Sequence, residues 1–230
     1  MFKRIINIWR NKRPLQSMMS EFESMLVDAE WMFVNAKDVF TARLQPEIIR
    51  DELYMRDIKI NKNERLIRRQ IVTHLSVNPE MDIPSCLVLM SIVKDAERIG
   101  DYCKNIFQVA EKFKFGKQVF KDKYFEEINA IGEEIKVNFQ RTKEAFAEEN
   151  EEKALKSIGA SIQIGKKCDA IINSILDDRL NCNKGVVYAL IARYFKRVDG
   201  HLSNISTSVV SPIENLDFSR KIQNKISEEN

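Results

Sequence analysis

Helical spacing runs through almost the whole chain, and no stretch alternates between apolar and polar residues as a half-buried strand does. Punctuation is sparse, with only 7 Gly and 5 Pro in 230 residues. Breaks must therefore fall at the few prolines, glycines and Asn-rich turns, and the segments between them are long. The pattern predicts a short helix over Phe2–Lys12, stopped before Pro14. Six long helices follow, over Leu15–Leu44, Glu47–Ser76, Pro84–Phe115, Lys121–Glu148, Glu151–Leu180 and Val186–Val210. Gln45-Pro46 ends the first of these, Asn150 is placed to cap the fifth, and Asn181–Gly185 reads as a turn.

Three long helices precede Gly116 and three follow it. Short loops force antiparallel neighbours, so the expected class is all-α, as two tandem three-helix bundles. The expected units are a basic amphipathic helix at 1–14, bundles at 15–116 and 117–212, and a polar tail at 213–230. The third helices of the two halves also match each other. KDAERIGDYCKNIF (Lys94–Phe107) aligns with RYFKRVDGHLSNIS (Arg193–Ser206) at an offset of 99 residues. Arg98 then meets Arg197, Ile99 meets Val198, Asn105 meets Asn204 and Ile106 meets Ile205, which reads as an internal duplication.

Net charge is +3, too weak to mark a nucleic-acid binder. The surplus lies at the start, where Lys3, Arg4, Arg10, Lys12 and Arg13 stand without an acid; without them the body holds 32 basic and 34 acidic residues. No apolar run reaches the ~18–20 residues a membrane span needs, and the start lacks a signal-peptide core. Cys86, Cys103, Cys168 and Cys182 form no C-x-x-C pair, and free thiols in a reducing compartment are expected. A cytoplasmic protein is the expectation.

The apolar seam of the third long helix runs through Leu89, Val93, Ala96, Ile99, Gly100, Cys103, Ile106, Phe107, Ala110 and Phe113. Ala96, Gly100 and Cys103 are small enough for a neighbouring helix to approach closely. Glu97, Asp101 and Asn105 form an i, i+4, i+8 column away from that seam, expected on the side or outer face. Two carboxylates so spaced repel unless a cation lies between them. Lys104, three residues after Asp101, offsets part of that charge, so an ordinary solvated acidic face is the competing reading. Asp57 and Asp169 occupy the middle helix of each half, and an antiparallel neighbour brings Asp57 towards the level of Glu97 and Asp101 in a suitable register.

Glu97-Arg98-Ile99-Gly100-Asp101, followed by Asn105-Ile106, resembles the signature of the PhoU family. Ala192–Ile205 resembles that family's second repeat, and Asp57–Asn61 and Cys168–Asn173 are similar to its acidic motifs in the middle helices. The resemblance covers about Leu15–Phe218. It implies two three-helix bundles related by a pseudo-twofold axis, in a cytoplasmic and often dimeric regulator of phosphate homeostasis. Such a regulator restrains phosphate uptake and phosphate-starvation signalling through a phosphate-specific ABC transporter and a membrane-bound sensor histidine kinase. It also implies a divalent or trivalent metal ion (Fe, Zn or Mg) at acidic motifs, with Glu97 and Asp101 as ligands and Asp57 in support. The second half departs from the pattern. Lys196 stands where the family has Glu, and Gly-Asp is inverted as Asp199-Gly200. A weakened or absent second site is expected, with Asp169, Asp199 and His201 as fallback ligands.

Phe2, Ile5, Ile6 and Trp9 recur at helical spacing opposite a basic face, which suits an anionic membrane surface, a partner groove or the chain's own bundle. Phosphate-loop, dinucleotide, zinc-protease and nucleophile-elbow patterns are absent from the sequence. His74 and His201 are its only histidines and fall in different halves. The leading expectation is a non-enzymatic adaptor. The alternatives are a metal-dependent hydrolase built on Glu97, Asp101 and Asp57, and a structural helical dimer whose acidic column is plain surface.

Overall fold

The computed structural model describes residues 13–77, 82–113, 122–178 and 180–211. The expected Phe2–Lys12 helix and the tail from Ile213 lie outside the described residues. Six helices fill the described part: α1 (Arg13–Phe40), α2 (Pro46–Val77), α3 (Ile83–Phe113), α4 (Lys123–Glu148), α5 (Glu151–Asp177) and α6 (Cys182–Val210). No strand occurs among the described residues.

The helix ends follow from local chemistry. Pro14 and Pro46 sit in first turns, where no donor is lost. α1 stops at Phe40 rather than Leu44 because Ala42 turns into the left-handed region, at φ 57°. Asp122 and Asn150 cap α4 and α5 by accepting from the backbone N–H groups of Phe125 and Lys153. Cys182–Gly185 are helical, which corrects the expected turn. Asn181 accepts from the N–H groups of Asn183 and Lys184, so the cap moves back and Gly185 lies inside the first turns of α6.

α1, α2 and α3 pack together, as do α4, α5 and α6; the two triplets join where α3 meets α6 and α1 meets α4. α2 and α5 are therefore outermost. One apolar core runs through both triplets. Phe33 of α1 lies 5.5 Å from Phe139 of α4 and 5.2 Å from Phe195 of α6, ring to ring. Gly100 brings α3 close to α2: a Cβ there would lie 3.2 Å from Ile60 Cδ1. At the α3–α6 contact, Tyr102 pairs with Tyr194 and His201 with Asp95. The 99-residue offset interchanges these two pairs, so the duplication appears in space as a pseudo-twofold axis, with Tyr102 stacked on His201 across it at 5.7 Å.

Candidate functional site

The acidic column of α3 faces α2, not open solvent. Glu97 is buried at 8% exposure and Asp101 is half-buried, because α2 covers that side of α3. The antiparallel register sets Asp57 of α2 beside Asp101 and Glu64 of α2 beside Glu97, each pair joined by a lysine of α3. Lys104 Nζ donates to Asp57 Oδ2 at 2.8 Å and to Asp101 Oδ1 at 3.2 Å. Lys94 Nζ donates to Glu97 Oε2 at 2.6 Å and lies 3.7 Å from Glu64 Oε1. Arg98 stands between the pairs, 3.4 Å from Asp101 and 3.8 Å from Glu97. Burial works against the Lys104 ammonium, but its bonds to Asp57 and Asp101 outweigh that and raise its pKa above the ordinary value.

Asp57, Glu97 and Asp101 are thus gathered on one seam, in a register the sequence leaves open, and the column expected on the side or outer face is covered by α2. Glu64 is an addition. Its signal is the i, i+7 spacing from Asp57, which keeps both on the α3-facing side of α2. Carboxylate oxygens are the donors a hard cation takes. As folded here, however, the lysines supply the countercharge, and no three metal-capable side chains converge among the described residues. The arrangement therefore does not present a ready ligand set.

In the second half the three fallback ligands go to separate places. Asp169 accepts two bonds from Lys196, both at 2.6 Å, so the lysine at the Glu position neutralises the acid on the neighbouring helix. Asp199 is 1% exposed. Its Oδ1 accepts from Asn138 Nδ2 at 2.8 Å, and burial pushes its pKa up to about 6. His201 Nδ1 lies 2.7 Å from Asp95 Oδ1 of α3, and Asn204 donates to the same oxygen at 3.0 Å. Asp199 and His201 are two residues apart and so point to different sides of α6.

The structure adds a buried polar network that the sequence reading missed. Thr142 lies 2.9 Å from Ser157 and 3.2 Å from Ser206, Ser206 donates to Ser157 at 2.9 Å, and Ser161 donates to the Asp199 carbonyl at 3.2 Å. The available signal was the i, i+4 repetition of Asn138/Thr142 and of Ser157/Ser161 on core-facing positions. The four cysteines are free, and all but Cys182 are buried. Burial raises the Cys103 thiol well above its ordinary pKa and Cys168 to about 12, which makes both poor nucleophiles. No helix among the described residues is long and apolar enough to cross a membrane.

Residues 16–110 match the family described as PhoU domain, the stretch that holds the whole α2–α3 seam. A curated relative, the phosphate-specific transport system accessory protein PhoU of Serratia marcescens, is 32% identical over 104 residues, which is 45% of this chain and 42% of that protein. The crystal structure of PhoU from Pseudomonas aeruginosa superposes with a TM-score of 0.76 at 18% identity, over 86% of this chain and 96% of its own. The phosphate transport system regulatory protein PhoU from Streptococcus pneumoniae gives a TM-score of 0.69 at 19% identity, over 85% of this chain and 94% of its own. Residues 16–110 thus resemble the PhoU domain, and the chain shares the fold of these two PhoU structures.

Proposed function

We propose, with that fold as the premise, that the chain is a non-enzymatic negative regulator of phosphate uptake and phosphate-starvation signalling. It acts by contact with a phosphate ABC transporter and a sensor histidine kinase, at the cytoplasmic face of the membrane and as a homodimer. The observation that carries this reading is the PhoU domain at 16–110, in the half where the Glu97–Asp101 signature is complete. The relative that aligns with this stretch is named an accessory protein of phosphate transport. The test is phosphate-starvation reporter output in the native host at ample phosphate. Output rises when the chain is deleted and falls when it is restored; unchanged output in both strains counts against the reading.

A metal role rests on the gathering of Asp57, Glu64, Glu97 and Asp101. A hard cation binding there takes the place of Lys104, which must swing out of the seam. Bound divalent metal, measured on purified protein, falls in the Glu97→Ala/Asp101→Ala double variant, changes little in His201→Ala, and rises in Lys104→Met. Equal loss in the first two variants would remove the first-half assignment.

A further inference from the structure

The end of the first bundle where α1 begins holds a cavity of about 520 Å³, walled by Ser17 and Met18 of α1 and by Arg69, Gln70, Thr73, His74 and Val77 of α2. Exposed apolar side chains crowd the same end: Val72 and Val77 on the last turns of α2, Ile83 and Leu87 on the first turns of α3. Two buried acceptors beside the cavity have no donor, Gln70 Oε1 and Glu21 Oε2. Glu21 reaches the cavity wall through its other oxygen, which accepts from Gln70 Nε2 and Ser17 Oγ, both at 3.3 Å. A buried acceptor left without a donor is destabilising.

The twelve residues before Arg13 join the fold one helical turn from Ser17. They carry the Phe2, Ile5, Ile6, Trp9 stripe, with cations on the opposite side. Trp9 is four residues from Arg13 and so within ~14 Å of it even on an extended chain. A dry apolar space of ~150 Å³ takes a benzene ring. The cavity therefore has room for an indole and at least one further apolar side chain. The indole N–H is a donor that accepts nothing, which is the group Gln70 Oε1 lacks.

We infer that this cavity is the seat of the chain's own first twelve residues. Trp9 fills it and donates to Gln70 Oε1, the Phe2, Ile5 and Ile6 side covers the exposed apolar residues of α2 and α3, and the cations face water. The apolar face of the segment is then held by the protein, not by lipid. The inference is independent of the regulatory reading and of the acidic seam.

The sequence has two tryptophans, so the full chain carrying Trp31→Phe leaves Trp9 as sole reporter. Its emission is expected blue-shifted, with acrylamide quenching several-fold weaker than for a peptide of residues 1–12. Thr73→Arg, at an exposed position of the wall, should return both to the peptide's values. Peptide-like emission and quenching in the parent would overturn the inference. So would shielding that arises only on adding phosphatidylglycerol vesicles, or shielding lost on dilution, which assigns the segment to a second copy. Amide exchange on the wild-type chain covers the case in which Trp31→Phe disturbs the fold. Protection over residues 2–10 that disappears in Thr73→Arg supports the docked segment, and its absence in the wild type overturns it.

Discussion

The two bundles spend their polar residues in different places. In the first, the signature carboxylates lie on the seam between α2 and α3, Asp28 of α1 pairs with Arg56 and Lys59 of α2, and the apolar core includes Phe22, Met25, Phe33, Ile99 and Ile106. In the second, the matching seam is reduced to Lys196 and Asp169, while Asp199, Asn138, Thr142, Ser157 and Ser206 are sealed inside. The 99-residue offset shows how a small change does this. It aligns Gly100 with Asp199 and Asp101 with Gly200. Exchanging neighbours on a helix turns a carboxylate by ~100°. The charge that Asp101 offers to Lys104 becomes, at Asp199, a charge the core must accommodate.

The sharpest way to break this comparison is Asn138→Leu. It removes the donor to a buried carboxylate and should cost about 1–3 kcal/mol at neutral pH. A shape change of similar size in the first core, Ile99→Leu, should cost less than about 1.5 kcal/mol. Urea unfolding of both variants reads the difference, and similar costs would mean the Asp199 network adds nothing to ordinary packing.

Asp199 also makes stability depend on pH in a set direction. Its folded pKa of about 6 lies above the ~3.9 of an unfolded Asp. Between those values the folded state holds a proton that the unfolded state has lost. Its contribution to stability therefore falls as pH rises through that window, by roughly 3 kcal/mol, and is flat above it. Asp199→Asn should lack this fall when urea midpoints are compared across pH 4 to 7.

The two seams separate on a smaller scale. Lys104→Met strands Asp57 and Asp101 on a largely buried seam and should cost about 1–3 kcal/mol. Lys196→Met releases the half-exposed Asp169 and should cost less than about 1 kcal/mol, because water screens it. The smallest effect belongs to the glycines. A Cβ at Gly200 meets nothing within 4 Å, so Gly200→Ala should stabilise by about 0.5–1 kcal/mol. At Gly100 the new Cβ presses on Ile60 at 3.2 Å, and Gly100→Ala should gain less. Thermal melts of the two variants rank them.

Much of this architecture was legible because the helices obey strong local rules. Pro46, Asn150 and the long apolar stripes placed most helix ends to within a few residues, and the repeat in α3 and α6 pointed to the paired bundles. The Asn181–Gly185 segment misled because a lone Gly in an Asn-rich stretch resembles a turn, while the Asn181 cap that overrides it is a matter of side-chain geometry. The candidate site was legible in composition but not in charge balance. Periodicity puts Glu97 and Asp101 on one side of α3, but the register that sets Asp57 beside them is not written in either helix alone. Whether a lysine or a metal ion neutralises them depends on how far Lys94 and Lys104 reach across to α2, and spacing along one helix does not carry that distance. The Asp199 network escaped for a related reason. Serine and threonine at core positions are easily read as small fillers, and their bonds to one another run between three different helices.

The stack of Tyr102 on His201 has a consequence for descent. Where two identical halves meet on an axis, the residue there faces its own duplicate, and a single codon change alters both sides at once. With both halves in one chain, the two sides mutate separately. The same structural position then holds a phenol on one side and an imidazole on the other, and the imidazole has taken Asp95 as a partner where the phenol faces Tyr194. Joining the copies thus doubled the number of independent choices at the axis and allowed one bundle to diverge while the other kept its signature.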